Sequence, residues 1–413
     1  MRKGVAVKVK DKRRTYKFAC SVDDLMHGII ERYLFEIGMG MLLLISVFIR
    51  WHLAPITMLS GDYNDCLVPW VEVYIKDGLK DGLAQVFGSY YVPYNLFLGL
   101  ISYLPWEPWV MIALSSCICD YIIGIFIYKI AKLLLSGSEE EIREKAAVAG
   151  VVSVLLPVTL MNGALWKQCD SVYTCFLVIS IYYALKDKYN KALLYLGISF
   201  AFKLQGIFLL PFFILLYFVR KKGLSFIHFI WIPGMYLAGG LPAVIAGRRV
   251  LDVYDCYLHQ ASYGGFDAMN ILYPNVYSFG LSDYPALSLP AIGMTLGIFI
   301  FTAFFVMENK EHLTKSKELL LATWCMWVCV TFLPAMHERY NYPVVILLTI
   351  LYLLTDLKKI WTAIVLNLIT CVIYGICLFH IRALEESTMA IWHMIIFVYV
   401  TYDLIVKLRK KEE

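Results

Sequence analysis

The chain has 413 residues, of which 60% are hydrophobic and only 17% are charged, and its mean hydropathy is +0.67. These values exclude an ordinary soluble domain and indicate a polytopic membrane protein. At roughly 20 apolar residues per helical span, the chain could cross a bilayer about a dozen times, which leaves little room for a separate soluble domain. The apolar runs are continuous and lack the alternation of a transmembrane barrel, so an all-α fold is predicted.

The net charge of +5 does not indicate a nucleic-acid partner, because the basic residues are spread over short loops instead of one face. The expected environment is the lipid bilayer. The 11 Cys residues lie mostly within apolar segments, where a free thiol behaves as a small hydrophobic group. Their spacing predicts neither a disulfide framework nor a zinc site.

Twelve segments are apolar enough to be predicted as transmembrane helices. They cover residues 33–51, 109–134, 146–165, 171–185, 191–204, 205–220, 224–246, 287–307, 318–336, 341–355, 360–380 and 389–406. The segments at 171–185 and 191–204 are short. We therefore expect them to be tilted, buried among neighbours or broken near the surface.

The distribution of basic residues predicts the orientation. Placing the N-terminus in the cytoplasm puts roughly three quarters of the 37 Lys and Arg residues on the inner side. This predicts a cytoplasmic basic arm at residues 1–32, a single membrane domain at 33–406 and a cytoplasmic basic tail at 407–413, in a bacterial cell membrane. No small-residue cleavage site follows the first apolar run, so the arm is not interpreted as a signal peptide.

Two large outer loops are predicted, at residues 51–108 and 248–285. Within the first, residues 71–83 have the pattern of one or two short amphipathic helices lying on the membrane. Residues 94–104 form an apolar segment that is short for a full span. Counting it as a span would reverse the orientation of all later spans and place their basic loops on the wrong side of the membrane. We therefore expect a half-inserted or interfacial segment there.

Polar residues gather at one predicted membrane face, in four clusters that are each flanked by apolar helix. The clusters are Asp62 with Asp65, residues 166–170, residues 203–205 and residues 337–340. Ionisable groups at membrane depth are costly and usually serve ion or substrate chemistry. Four such clusters on one face therefore predict a single functional site.

Each cluster also has a purely structural interpretation. Asp62 could cap a turn or a helix, and Lys203 could extend its ammonium group to the interface. Residues 337–339 could be a local ion-pair group that closes a hairpin. Trp166 and Tyr340 could be ordinary interfacial aromatics. The occurrence of all four clusters on one predicted face favours the functional interpretation.

The polar clusters carry a family resemblance. In chain order the motifs are Gly61-Asp62-Tyr63-Asn64, Lys167-Gln168-Cys169-Asp170, Phe202-Lys203-Leu204-Gln205 and Met336-His337-Glu338-Arg339-Tyr340. Together they resemble bacterial polytopic glycosyltransferases of the GT-C class. Within that class they are most similar to the group related to the second mannosyltransferase of GPI-anchor assembly. The resemblance extends over residues 60–343.

This resemblance implies a membrane enzyme that moves a hexose, mannose-like, from a polyprenyl-phosphate carrier. The acceptor would be a hydroxyl group of a lipid, glycan or protein on the extracytoplasmic face. Asp62 would be the catalytic carboxylate of the first outer loop, with Asp65 as a second carboxylate. The remaining motif residues would bind substrate, namely Tyr63, Gln168, Asp170, Gln205, Glu338 and Tyr340.

The chemistry of such a transfer suggests roles for individual residues. A carboxylate that accepts the proton of the attacking hydroxyl would accelerate the reaction by roughly 10² to 10⁴-fold, and Asp62 is the predicted base. A departing phosphate needs positive charge instead of a general acid. Lys203, His337 and Arg339 are predicted to supply it. One base and no second nucleophile beside it predict inversion at the anomeric carbon.

Three further expectations complete the hypothesis. Gln260 and Asn275, in the second outer loop, are predicted to contact the sugar or the acceptor. No cofactor is expected, although Asp62 and Asp65 could share a divalent cation with phosphate oxygens. The rival hypothesis is a transporter or lipid-linked sugar flippase, which would also place charges among many helices. The absence of an internal sequence repeat counts against it.

Overall fold

The computed structural model describes residues 21–258 and 269–409, and these residues are almost entirely helical. We label the helices in chain order: α1 Ser21–Leu53, α2 Val68–Ala84, α3 Val92–Ile101, α4 Pro108–Leu134, α5 Glu139–Leu155, α6 Pro157–Leu160, α7 Asp170–Ala184, α8 Tyr189–Phe202, α9 Leu210–Phe218, α10 Trp231–Ala246, α11 Val250–Tyr254, α12 Tyr284–Glu308, α13 Lys315–Phe332, α14 Tyr342–Thr355, α15 Ile360–Phe379 and α16 Glu386–Arg409. Two short strands complete the fold, β1 Asn270–Ile271 and β2 Met336–His337.

Within the described residues, six helical stretches are long and apolar enough to cross a membrane, or seven if one bent pair of helices counts as a single span. The six are Leu25–Leu53, Pro108–Leu134, Phe226–Ala246, Tyr284–Glu308, Leu357–Phe379 and Glu386–Arg409. The seventh joins Glu139–Leu155 to Pro157–Leu165 across a bend of 51°. Every one of the twelve predicted segments overlaps a helix, which confirms a polytopic all-α membrane protein. Twelve spans are more than these criteria support, and that number stays a prediction.

Burial separates central helices from peripheral ones. In α13 every side chain from Lys317 to Thr331 is buried, and α14 is buried from Tyr342 to Tyr352. The short α7 is likewise buried along most of its length. By contrast, only 11% of the apolar window of α1 is buried, and 22% of that of α12. Large apolar side chains exposed on these outer helices are what a lipid-facing surface requires.

Close helix contacts hold the bundle together. Helix α4 packs along α5, and α7 packs on α8 and α4. At Gly124 in α4 and Gly150 in α5, a methyl group on either residue would lie within 3.1 Å of the other's carbonyl oxygen. Small residues at such a crossing let two backbones approach closely, which is a common way to associate helices in lipid.

A buried polar network links four helices below the predicted site. Arg50 on α1 lies 3.3 Å from Asp120 on α4, and both side chains are buried. Tyr342 of α14 donates a hydrogen bond of 2.7 Å to Asp120, and its hydroxyl lies 3.3 Å from that of Ser171 on α7. Sequence analysis did not identify this network. A buried pair satisfied by additional hydrogen bonds is tolerated within an apolar bundle.

The two predicted outer loops contain helices and a strand. Helix α2 is broken at Gly78, whose φ of 79° is in the left-handed region that favours glycine. The predicted amphipathic segment at 71–83 is thus helical on both sides of a bend. Residues 94–104 include most of α3, a helix of only 10 residues. Strand β1, from the second loop, pairs in parallel with β2.

The predicted domain boundaries can be compared with the helix ends. Helix α1 begins at Ser21, inside the predicted arm of 1–32, and its backbone leaves helical geometry at Tyr33. The predicted start of the first span therefore coincides with a bend within α1. At the other end α16 continues to Arg409, into the predicted tail of 407–413. Residues 1–20 and 410–413 lie outside the described residues.

Candidate active site

A cleft of about 550 Å³ lies where the loop after α1, the bend before α7, strand β2 and the segment after α15 meet. Its lining is rich in ionisable side chains. The lining residues are Gly61, Asp62, Asp65, Trp166, Ile271, Leu272, His337, Glu338, Arg339, Ile376, Cys377, His380 and Arg382. The cleft thus brings together side chains from three of the four predicted polar clusters.

The loop after α1 is anchored to the bend before α7 through Ser60. Its hydroxyl donates to the carbonyl oxygen of Trp166 at 2.7 Å and accepts the backbone N–H of Tyr63 at 3.1 Å. A single wide turn of helix, Asp62–Leu67, starts there and continues into α2. The first acidic residue of the turn is thereby fixed at the edge of the cleft.

The side chain of Asp62 is held through one of its two oxygens. Oδ2 accepts hydrogen bonds from Trp166 Nε1 at 2.9 Å and Gln168 Nε2 at 2.5 Å, and Arg339 Nη1 lies 3.9 Å away. Oδ1 makes no hydrogen bond to any described residue. Asp62 does not cap its own helix, so the capping interpretation is wrong. The carboxylate is oriented by its neighbours and keeps one oxygen available.

The bend before α7 is stabilised by a buried lysine. Lys167 has a φ of 61°, which is unfavourable for a residue with a side chain. Its ammonium group donates to the carbonyl oxygens of Ile56 at 2.7 Å and Leu165 at 3.0 Å. Burial lowers the pKa of Lys167 to about 8. Lys167 lies in the predicted motif, and its contacts give it the role of joining this bend to the first loop.

Behind the cleft, Asp170 and Lys203 form a buried ion pair. Lys203 Nζ lies 2.5 Å from Asp170 Oδ1, and Asn162 donates to the other carboxylate oxygen at 3.1 Å. The ammonium group is also 5.4 Å from the ring of Tyr340 and 5.5 Å from that of Tyr173. Lys203 is only 6% exposed, so it does not extend to the interface, and it is absent from the cleft lining. Its predicted contact with a donor phosphate stays a prediction.

Arg339 is the central cation of the site. It contacts three carboxylates: Glu338, Asp62 at 3.9 Å and Asp170 at 3.5 Å. Its guanidinium also lies 5.6 Å from the centre of the Trp166 ring. Burial alone would lower the pKa of Arg339, but the three carboxylates raise it well above its usual value. Arg339 therefore stays charged and links the predicted clusters.

Glu338 stays ionised in spite of its burial. Burial alone would raise its pKa, but Arg339 and then His337, whose Nδ1 lies 3.2 Å away, lower the pKa of Glu338 to about 2. Residues 337–339 thus form the local ion-pair group of the structural interpretation. The group also extends to Asp62 and Asp170, which a self-contained hairpin would not do.

The other predicted site residues differ in their positions. Asp65 is exposed and lines the cleft with His337. Tyr63 is buried, and its hydroxyl accepts the backbone N–H of Trp109 at 3.2 Å instead of facing the cleft. Gln205 is buried outside the cleft lining, and its Oε1 has no hydrogen-bond partner among the described residues.

In the second outer loop, Asn275 is fully buried, and its side chain accepts the backbone N–H of Tyr277 at 2.9 Å. It caps the short helical turn Val276–Phe279 and does not line the cleft. The predicted substrate contact of Gln260 lies outside the described residues. Over the residues that are described, no group of three His, Cys, Asp or Glu side chains is arranged to hold a metal ion.

Sequence analysis missed two basic residues of the cleft, His380 and Arg382, which follow α15. The available signal was a short polar break between two strongly apolar segments, but it matched no motif. Sequence analysis also missed Arg50 and Asp120, whose charges are embedded in the predicted spans at 33–51 and 109–134. Charges inside an apolar span were the signal for that pair.

The fold and the cleft define the chain as a multi-pass α-helical membrane protein with an ionisable site at the ends of its helices. A family model described as GPI transamidase subunit PIG-U matches residues 81–247, which is less than half of the chain. No curated protein matches the chain. The matched region contains Gln168, Asp170 and Lys203, but it excludes Asp62 and Arg339. The match does not specifically support the mannosyltransferase group that the motifs resemble.

Proposed function

We propose that the protein is a glycosyltransferase that moves a hexose from a polyprenyl-phosphate carrier to an acceptor hydroxyl on the extracytoplasmic side. The observation that carries the proposal is the geometry of Asp62. Oδ2 is held by Trp166 and Gln168, and Oδ1, at the edge of the cleft, has no partner among the described residues. A carboxylate held through one oxygen is well suited to accept a proton on the other.

In the proposed step the acceptor hydroxyl attacks the anomeric carbon while its proton passes to Asp62. The bond between that carbon and the phosphate oxygen breaks, and the electron pair leaves with the polyprenyl phosphate. A single displacement of this kind inverts the anomeric configuration. Positioned catalysis by one base contributes roughly 10² to 10⁴-fold to the rate.

The phosphate leaving group requires nearby positive charge. Arg339 and His337 both line the cleft and would supply part of it. Charge-assisted hydrogen bonds from an arginine are among the strongest available to a phosphate. In this proposal Lys203 does not contact the phosphate. It pairs with Asp170, which in turn lies 3.5 Å from Arg339 Nε, and so it helps to position Arg339.

Orientation and partners belong to the same proposal. The excess of basic residues on one side of the predicted spans supports an extracytoplasmic cleft. The donor's isoprenoid tail would lie in the bilayer, while a lipid, glycan or protein acceptor would enter the cleft from the aqueous phase. Asp65 is exposed on the rim of the cleft and would orient the acceptor.

The test uses purified protein in lipid nanodiscs with polyprenyl-phosphate-linked mannose, glucose or galactose and a panel of lipid and glycan acceptors. Released polyprenyl phosphate and glycosylated acceptor are measured. We expect Asp62→Asn to lower the rate roughly 10² to 10⁴-fold, because the amide retains an acceptor oxygen for Trp166 and Gln168 but cannot take a proton. Asp65→Asn is the matched control and should lose less than about tenfold, since its carboxylate is exposed.

Transfer by Asp62→Asn at the wild-type rate would show that Asp62 is not the base. If no donor is consumed by the wild-type protein either, the enzyme proposal fails. In that case the match at residues 81–247 favours a second candidate, a subunit of a GPI transamidase-like membrane complex. Transport of a lipid-linked sugar or another solute by proteoliposomes would instead support the transporter hypothesis.

A further inference from the structure

The lining of the cleft includes a second basic edge, formed by two residues that follow α15. His380 and Arg382 line it from the segment that joins α15 to α16, and both side chains are exposed. Within residues 21–258 and 269–409, neither side chain makes a hydrogen bond or an ion pair. These two groups are therefore available to a ligand in a way that the other cations of the site are not.

The charge balance of the site shows why additional cations are needed. Arg339 and Lys203 are shared among the carboxylates of Asp62, Asp170 and Glu338. Glu338 is paired with His337 as well, so the cations of this cluster are already engaged by carboxylates before a phosphate enters. A phosphate bound in the cleft therefore requires positive charge from another part of its lining.

The backbone at His380 provides an independent observation. Its φ of 56° and ψ of 28° are left-handed, at the C-terminal end of α15. Glycine is the favoured residue at this position, and a side chain there costs about 1 kcal/mol or more. A residue retained in such a conformation is a candidate for function. Its imidazole borders the cleft.

The neighbouring lining residues indicate what kind of phosphate fits. Ile271, Leu272 and Ile376 contribute apolar surface to the same cleft. Helix α15 also exposes Ile364, Leu368 and Phe379 along its length. A phosphate bound at the end of this helix could thus continue directly into an apolar chain lying along the helix.

We propose that His380 and Arg382 form the binding subsite for the phosphate group of an isoprenyl-phosphate lipid. This inference rests on the proposed function and specifies where its donor is held. Arg382 and His380 would bind the phosphate and add to the positive charge that Arg339 and His337 provide. The phosphate would stay bound at this edge while the sugar lies beside Asp62.

The test measures binding instead of transfer. Purified protein in nanodiscs of zwitterionic lipid is titrated with radiolabelled farnesyl phosphate in equilibrium dialysis, and farnesol and inorganic phosphate serve as competitors. We expect Arg382→Gln to weaken binding about tenfold or more, the loss of one charge-assisted hydrogen bond. Arg249→Gln is the matched control, because its side chain is 79% exposed on the second outer loop. It should bind as wild type.

His380→Gly separates binding from folding. The substitution removes the imidazole and also relieves the left-handed strain, so the unfolding temperature should be equal to or above that of wild type. Binding of farnesyl phosphate should nevertheless weaken several-fold. A variant that is at least as stable and binds less tightly cannot be explained by misfolding.

Three results would overturn the inference. They are wild-type affinity in both variants, equal losses in the Arg249→Gln control, and competition by inorganic phosphate as strong as by farnesyl phosphate. The last would indicate a small-anion site. Asp62→Asn should bind farnesyl phosphate normally. Thus a failure of Asp62 as the base would appear in transfer assays, while a failure of the subsite would appear in binding.

Discussion

The ion pair between Asp170 and Lys203 gives the sharpest prediction about the site's architecture. Its charged atoms are 2.5 Å apart, and the side chains are 0% and 7% exposed. At an effective dielectric constant of about 20, such a pair attracts by about 7 kcal/mol. Desolvation offsets several kcal/mol of this, so removal of one partner should destabilise the fold by about 3 to 5 kcal/mol.

The two single substitutions should differ in cost. After Lys203→Met, Asp170 still has Arg339 Nε at 3.5 Å and the Asn162 amide at 3.1 Å, so the loss should be about 3 kcal/mol. After Asp170→Asn, Lys203 keeps only a neutral amide and aromatic rings, so the loss should be about 5 kcal/mol. The double variant should cost no more than about 5 kcal/mol, well below the sum, because no unpaired charge remains.

The assay is a double-mutant cycle on the free energy of unfolding, measured by titrating SDS into protein in mild detergent micelles and following circular dichroism. The control cycle uses Glu36→Gln and Arg143→Met, an ion pair of 3.2 Å with side chains 47% and 52% exposed. Its coupling should be below about 1 kcal/mol. Coupling as small for Asp170 and Lys203, or a larger loss from Lys203→Met than from Asp170→Asn, would refute the reasoning.

Two further predictions concern pH and helix packing. The pKa of Glu338 is lowered to about 2, so its ionisation contributes about 3 kcal/mol of stability above pH 4.5 that is lost as pH falls towards 2. Glu338→Gln should therefore lower the thermal unfolding midpoint at pH 7. The variant's midpoint should also decline less steeply than that of wild type between about pH 4.5 and 2. An equally steep decline in both proteins would contradict this reasoning. Gly150→Ala should cost about 1 to 3 kcal/mol, because the added methyl would lie 2.9 Å from the carbonyl oxygen of Gly124. Gly375→Ala is the matched control, because its added methyl group would meet no atom within 4 Å. It should be neutral or slightly stabilising when both variants are compared with wild type by thermal unfolding.

The helices were predictable because apolar continuity is a local property of the sequence. The predicted segment at 341–355, for example, differs from α14 by a single residue. The number of membrane crossings is harder to predict, because a helix such as α7 is buried by its neighbours and need not match the bilayer thickness. Its length alone does not show whether it spans.

The residues of the site were predictable from the sequence, but the ion pairs among them were not. The four polar clusters were identified as one site, and the structure joins them through Arg339 and Asp170. Which cation pairs with which carboxylate depends on contacts between separate helices and loops, such as that between Lys203 and Asp170, which are 33 positions apart. Lys203, for instance, was assigned to a phosphate but is paired with Asp170. Local patterns carry no information about such partners.

Strand pairing has a consequence for how the cleft is built. Ile271 and Leu272 form part of its wall, and the backbone there is joined to that of His337, another lining residue, through the short ladder of β1 and β2. Elsewhere the lining residues belong to long packed helices or to the loops at their ends. The free energy needed to separate two strands of two residues each is far smaller than that needed to unpack a helix. The wall is nevertheless held by contacts outside the ladder, because Ala335 N donates to the carbonyl oxygen of Met269 at 3.0 Å and Asn270 donates to Glu386 of α16. Its position in the cleft therefore depends on the first residue of α16 as well as on the two strands.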